Sequence, residues 1–412
     1  MRPSHRFGLA AMALASALWL APPAVSSAAA GSYLQVSGRN FTYAGQTVVL
    51  RGEDFNNEPA LSCCGGPDIG AINYGESDYA KVQAWGGNVI RWSMDYAWWA
   101  SDRTRFFAVA DQHVAWARAH RLWLIVTMMI PPGGSSGGYD QSAGKGYCIW
   151  SDCGSAQHNQ DALNTAWRSI AAHFAGEPAV AGYDLFNEPA PPSQGEWQQL
   201  AQRLHDTILA VDPNHFVAVE ISSAGWDVPA VSGANMVWSV HHYQEGNNYP
   251  PSWSGQVPLW VGEFGAQPKS ADAPAWVAAQ MLRYARDGVH WTHFVMREGN
   301  GDYGLYACGA ASDFSCPWPE MIQVVSQAMA RSVQPLAGAA GVAVAPVFGT
   351  EVGPPIHGAD SNHSAQPVEK KAIPWAVEHP APKAPAPRTQ RSSGWFQVAL
   401  AGALRWILSL RL

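Results

Sequence analysis

Residues 31–334 predict a (β/α)8 barrel. Short apolar runs alternate with helix-period patterns along this stretch, the mark of a parallel α/β sheet. Eight such runs fall within about 300 residues, close to the ~250 plus insertions of a barrel. Two of the runs lead straight into a glutamate, Glu188 and Glu263, at the strand end where a barrel keeps its chemistry. A doubly wound open sheet is the competing architecture. No Gly-x-Gly-x-x-Gly follows the first strand, which weakens its nucleotide-binding form.

In chain order, a hairpin-like start at residues 33–43 leads into strand candidates at 47–51, 88–92, 122–128, 180–186, 216–220, 236–241, 258–263 and 289–296. Strands covered on both faces read as such near-continuous apolar runs. Between the fourth and fifth, Trp197, Leu200, Leu204, Ile208 and Val211 recur at helical spacing, and Ser193 with Glu196 predicts a capping box at the start of that helix. Residues 103–120 and 271–287 read as further helices. The long segment 131–157 fits neither period and reads as a rim loop able to shape a cleft.

The flanks differ from the barrel in composition. Residues 1–30 have the layout of a secretory signal: Arg2, His5 and Arg6 are basic, residues 7–20 are apolar, and Ala28, Ala29 and Ala30 offer a small-residue cleavage site. That apolar stretch falls short of the ~20 residues of a membrane span, so secretion to the periplasm or the exterior is expected. Residues 335–394 are rich in Pro and Ala and read as a disordered linker without a core. Residues 395–412 set Val398, Leu400, Leu404, Trp406, Ile407, Leu408 and Leu410 around Arg405 and Arg411. Such an amphipathic tail suits a membrane surface or docking on a protein, with an inert tail as the alternative.

Secretion permits disulfides. Cys148 and Cys153 share one Gly-rich segment and Cys308 and Cys316 another, so each pair is expected to staple its own loop. The adjacent Cys63 and Cys64 either bridge to each other or pair elsewhere. The net charge of -7 argues against nucleic acid, whose binding needs concentrated Lys and Arg. Of the 20 tryptophans most belong to the core, while Trp98 and Trp99, just past a strand end, are candidate platforms under sugar rings.

The chemistry concentrates at strand ends. Asn187-Glu188-Pro189 follows the run 180–186, and Glu263-Phe264-Gly265 follows the run 258–262. Two carboxylates facing one pocket are what glycosidic bond cleavage requires. Arg91, His241 and Tyr243 also stand at strand ends, where packing alone has no use for them. Period-two spacing turns His241 and Tyr243 to one side and His242 to the other, which opposes a His241–His242 metal pair. Glu53 and Asp54, after the first strand candidate, read as supporting rim carboxylates.

Gly87-Asn88-Val89-Ile90-Arg91, Asn187-Glu188-Pro189, His241-His242-Tyr243 and Gly262-Glu263-Phe264-Gly265 occur in that order. With these motifs, residues 31–334 resemble glycoside hydrolase family 5, the cellulase-type glutamate-pair barrels. The resemblance implies Glu188 as general acid/base and Glu263 as the nucleophile of a retaining reaction, with no cofactor and no metal. It further implies that Asn187 holds the sugar 2-hydroxyl, Tyr243 bonds Glu263 and His241 orients the pair. Arg91 beside Glu263 would keep it ionised. Glu188 should be protonated at rest, in a drier and less compensated site. Two positions depart from the family: Met129 stands where many cellulases have His, and Phe294 where they place a stacking Trp. The expected protein is a monomeric, secreted hydrolase of a β-linked polysaccharide. A β-1,4-glucan comes first, and β-mannan or a bacterial exopolysaccharide is the alternative. A carbohydrate binder without catalysis is a third reading, opposed by the presence of both glutamates.

Overall fold

The computed structural model describes residues 33–64, 66–134, 148–221, 230–244, 255–267, 270–298, 303–308 and 314–330. The expected leader (1–30), linker (335–394) and tail (395–412) lie outside the described residues.

Three short antiparallel strands come first: β1 (Gln35–Ser37), β2 (Asn40–Tyr43) and β3 (Gln46–Val48). Eight parallel strands then close a barrel: β4 (Arg51–Phe55), β5 (Val89–Asp95), β6 (Trp123–Ile130), β7 (Val180–Asp184), β8 (Phe216–Glu220), β9 (Met236–Tyr243), β10 (Leu259–Gly265) and β11 (His290–His293). Neighbours in the wall are neighbours in sequence, and β11 returns to β4. The first barrel strand is not the run 47–51. Val48 and Leu50 point into the floor of the barrel beside the hairpin, whereas β4 is the polar run Arg51-Gly52-Glu53-Asp54-Phe55, fully buried. Its charges hide it from a search for apolar runs.

Two apolar layers hold the barrel. Inside, Phe41, Tyr43 and Val48 of the hairpin plug the floor against Val89, Trp123, Ile125, Phe216 and Trp260. Outside, the strands pack on helical faces. The helix Ala156–Phe174 buries Leu163, Ala166, Trp167, Ile170, Ala171 and Phe174, and the helix Gln194–Leu209 buries Trp197, Leu200, Ala201, Leu204, His205 and Ile208, each at i, i+3, i+4 spacing. Each large apolar side chain so enclosed contributes roughly 1.5–3 kcal/mol. Arg103–Ala119 forms a further helix that Asp102 caps by accepting from Arg105 N–H at 2.9 Å. Ala273–Asp287 ends at Gly288, whose φ of 68° suits the left-handed cap position.

The capping box expected at Ser193 and Glu196 does not form. Ser193 caps the helix Gln194–Leu209 with no side-chain hydrogen bond, and the Glu196 carboxylate instead accepts from Ser151 N–H (2.9 Å) and Oγ (2.7 Å). That bond ties this helix to the segment that Cys148–Cys153 clips. Cys308–Cys316 are bridged, and Cys63 and Cys64 are joined to each other. Among the described residues no helix is long and apolar enough to cross a membrane.

Candidate active site

Arg91 organises the mouth of the barrel from below. It lies on β5 opposite Asp54 of β4, fully buried, with the Trp260 ring 5.9 Å from its guanidinium carbon. Its Nη1 donates to Asp54 (2.6 Å) and to Glu263 Oε1 (2.5 Å), its Nε to Asp184 (3.0 Å), and its Nη2 to Asn187 Oδ1 (2.6 Å). A planar five-donor fork can serve four such acceptors, and an ammonium cannot. Asn187 Oδ1 is so engaged and its backbone N–H is bonded to Met128 O (3.0 Å), which leaves its amide Nδ2 as the further donor this side chain can offer.

The register between β9 and β10 slips at Gly262, so Glu263 stands opposite His241. A side chain at Gly262 would press on Ser239 Oγ and the His241 ring. Tyr243 donates its hydroxyl to Glu263 Oε2 at 2.5 Å. His241 Nδ1 lies 3.0 Å from Glu188 Oε1 and 3.4 Å from Glu263 Oε2, and its Nε2 lies 3.5 Å from Glu220 Oε2. Glu188 stands just beyond β7 with a left-handed φ of 48°, and its backbone N–H donates to Glu220 Oε2 at 2.7 Å. A carboxylate oxygen of Glu188, a ring nitrogen of His241 and a carboxylate oxygen of Glu263 lie within 4.8 Å of one another. Among the described residues this trio is also the only grouping spaced to hold a metal ion, and the charges of Arg91 and His241 compete for its oxygens. His242 faces the other way, 2.5 Å from the Tyr284 hydroxyl and against the Trp276 ring.

Burial and charge act in opposition across this site. Burial disfavours a charged His241, but Glu220, Glu263 and Glu188 reverse the balance and raise it to about 10. Burial lifts Glu220 to about 8 against the pull of His241, and lifts Asp54 to about 7 against that of Arg91. Burial also works to raise Glu188, yet the hydrogen bond and charge of His241 outweigh it and hold this carboxyl below its ordinary value. The expected dry and poorly compensated surroundings of Glu188 are not what the structure shows. Its side chain is 46 % exposed, and the His241 ring beside it has three carboxylates around it.

These shifts predict a pH dependence of folding. His241, Glu220 and Asp54 all hold protons more tightly in the fold than in the unfolded chain. Their contribution is complete below the unfolded values and is lost as pH rises, through about 7 for Asp54, about 8 for Glu220 and about 10 for His241. The buried His113 and His290, lowered by desolvation to about 3, act in the opposite sense below 6.5. The thermal midpoint should therefore fall from pH 6.5 to pH 9.5, as read by circular dichroism, and a higher midpoint at pH 9.5 would contradict the assignment.

Aromatic rings line the side of the mouth next to Glu263. Phe294, half-buried just after β11, meets Tyr243 edge-on at 6.0 Å and Tyr303 at 5.9 Å. Tyr303 itself packs 5.0 Å from Tyr243, and the Glu298 carboxylate fixes its loop by accepting from the backbone N–H of Tyr303 (2.5 Å) and Gly304 (3.2 Å). Trp98 is not a sugar platform. It is 1 % exposed, packs on Trp92 and donates its ring N–H to Ala60 O at 2.9 Å, and Trp99 is buried as well. Met129 is buried at the end of β6. Glu53 sits deeper, paired with His293 at 3.2 Å. The sequence reading did not single out Asp184, Glu220 or Tyr303. The first two carry the signal that found Glu263, an acid at the end of a buried run.

The cellulase family model, glycosyl hydrolase family 5, matches residues 48–300. A probable glucan 1,3-β-glucosidase A of Emericella nidulans is 27 % identical over 192 residues, covering 43 % of this chain and 46 % of the relative. An endoglucanase of Paenibacillus polymyxa is 25 % identical over 199 residues, 36 % of this chain and 50 % of the relative. The chain thus spans half or less of the length of these curated relatives. In fold it is similar to a β-glucanase from Saccharophagus degradans, with a TM-score of 0.55 at 18 % identity over 73 % of this chain and 93 % of that one. With a family match over more than half of its length, the chain belongs to the cellulase family, glycosyl hydrolase family 5.

Proposed function

We propose that the protein is a secreted retaining hydrolase of β-linked glucan, with Glu263 as nucleophile and Glu188 as acid, then base. One observation carries the reading: oxygens of Glu188 and Glu263 lie within 4.8 Å across His241. Retaining sites hold their carboxyl groups ~5–5.5 Å apart, whereas inverting sites need ~6.5–9.5 Å to admit a water.

The mechanism follows from the bonding. Arg91 and Tyr243 each hold one oxygen of Glu263, which fixes the carboxylate toward the anomeric carbon. The leaving oxygen needs a proton from Glu188, and the 3.0 Å bond to His241 Nδ1 can refill that carboxyl. Departure of the leaving group forms the glycosyl ester on Glu263. Glu188, now ionised, takes a proton from water, and the water oxygen displaces Glu263 with a second inversion. Asn187 Nδ2 faces the 2-hydroxyl, where a hydrogen bond strengthens in the transition state.

A β-1,4-glucan is the first substrate to test. The names of the relatives bring a β-1,3-linked glucan beside it. Reducing-sugar release from β-1,4-glucan, β-1,3-glucan, mannan and xylan decides among them, and release from none would leave the carbohydrate-binder reading. The role of Glu188 has its own test. Glu188→Ala should lose ~10²–10⁴-fold on the glycan, since a sugar alkoxide needs the proton, and far less in kcat/KM on a dinitrophenyl glycoside, which does not. Equal losses on the two would contradict the role.

A further inference from the structure

We infer that Glu220 is a positioning residue for the acid/base, holding the Glu188 main chain and the far side of His241 so that the Glu188 carboxyl meets the leaving oxygen. The inference rests on the acid/base reading of Glu188.

Glu220 is the last residue of β8, 2 % exposed, at a position where an apolar side chain would satisfy packing alone. Its own backbone is pinned, because Trp197 Nε1 of the helix Gln194–Leu209 donates to Glu220 O at 2.7 Å. Its carboxyl oxygen Oε2 accepts the Glu188 N–H at 2.7 Å and lies 3.5 Å from His241 Nε2. Both atoms it engages belong to the groups that carry the proton. Glu188 adopts a left-handed φ of 48°, a conformation an L-residue with a long side chain enters only when its surroundings hold it there. The bond to Glu220 is made by the residue's own N–H, and it directs the side chain toward the mouth. On its other side, the Glu220 carboxylate near His241 Nε2 favours the doubly protonated imidazolium, whose Nδ1–H then faces Glu188. Glu220 touches neither Glu263 nor the Arg91 fork in the described bonding; its direct neighbours in the site are Glu188 and His241.

The test compares Glu220→Ala, Glu220→Gln and Glu188→Ala on dinitrophenyl and phenyl β-cellobioside, with and without azide. Azide attacks a glycosyl ester without needing a base, so it accelerates turnover where base assistance has been lost. Glu220→Ala should lose at least ~30-fold in kcat/KM on the phenyl substrate and less than ~3-fold on the dinitrophenyl one, a part of the full ~10²–10⁴-fold acid/base effect. Azide should raise its dinitrophenyl turnover as it does for Glu188→Ala. Glu220→Gln keeps an oxygen acceptor for the Glu188 N–H and should recover phenyl cleavage to within ~5-fold of the parent. Equal losses on both substrates without an azide effect, or no loss at all, overturn the assignment. If Glu188→Ala shows the substrate split and Glu220→Ala does not, only the role of Glu220 falls. If Glu188→Ala itself shows none, the acid/base reading falls and takes this inference with it. Should Glu220→Ala fail to melt cooperatively, Glu220→Asp, whose shorter side chain withdraws the carboxyl from the Glu188 N–H, is read by the same criteria.

Discussion

Glu263→Ala is expected to lose at least ~10⁴-fold in turnover on every substrate, activated aryl glycosides included. A good leaving group removes the need for an acid but not for a nucleophile, so the loss should not depend on the leaving group. The side chain is almost fully enclosed, and Arg91 and Tyr243 hold its two oxygens. Removing it frees those donors but supplies no atom that could form the glycosyl ester. The contrast with Glu188→Ala, whose loss is predicted to shrink on dinitrophenyl glycosides, separates the two carboxylates by role. A Glu263→Ala protein that cleaves aryl glycosides at near the parent rate would reverse the assignment.

The second large effect falls on the fold. Arg91→Met should destabilise the barrel by about 3–5 kcal/mol, because it leaves the buried Asp54 and Asp184 without their cation. That is a large share of the ~5–15 kcal/mol by which domains are stable. Asp54, lifted by burial to about 7 even beside Arg91, should become protonated in the variant instead of remaining charged. The damage should therefore be smaller at pH 5 than at pH 8, and denaturant melts at both values measure it. A variant that unfolds at the parent's midpoint at pH 8 would show that the four-acceptor cluster contributes no stability. Arg91→Lys should recover little, since one ammonium cannot reach all four partners.

The parts of the site that lie in apolar context were legible in the sequence. Glu188 and Glu263 stand out because each follows a run that only a buried strand explains, and period two alone separates His241 and Tyr243 from His242. The first barrel strand was misplaced for the converse reason. Glu53 and Asp54 lie inside β4 and make it look like a loop, whereas Val48 and Leu50 belong to the floor. Trp98 and Trp99 show what position along the chain leaves out: a helix directly after β5 turns both rings into the shell around the barrel. The Ser193–Glu196 box failed because Ser151, distant in sequence, offered Glu196 two donors. Glu220 was legible by the rule that found Glu263. Its partners were not, since the bond to the Glu188 N–H depends on how β7, β8 and β9 sit side by side.

In the proposed mechanism Glu263 and Glu188 cleave a β-glycosidic bond by two successive inversions. Proton NMR of the first-formed product, recorded before mutarotation, tests it most directly. The β anomer should appear first and decay toward the equilibrium mixture. An α anomer at the earliest time point would mean a single displacement by water and would contradict the assignment of Glu263 as nucleophile.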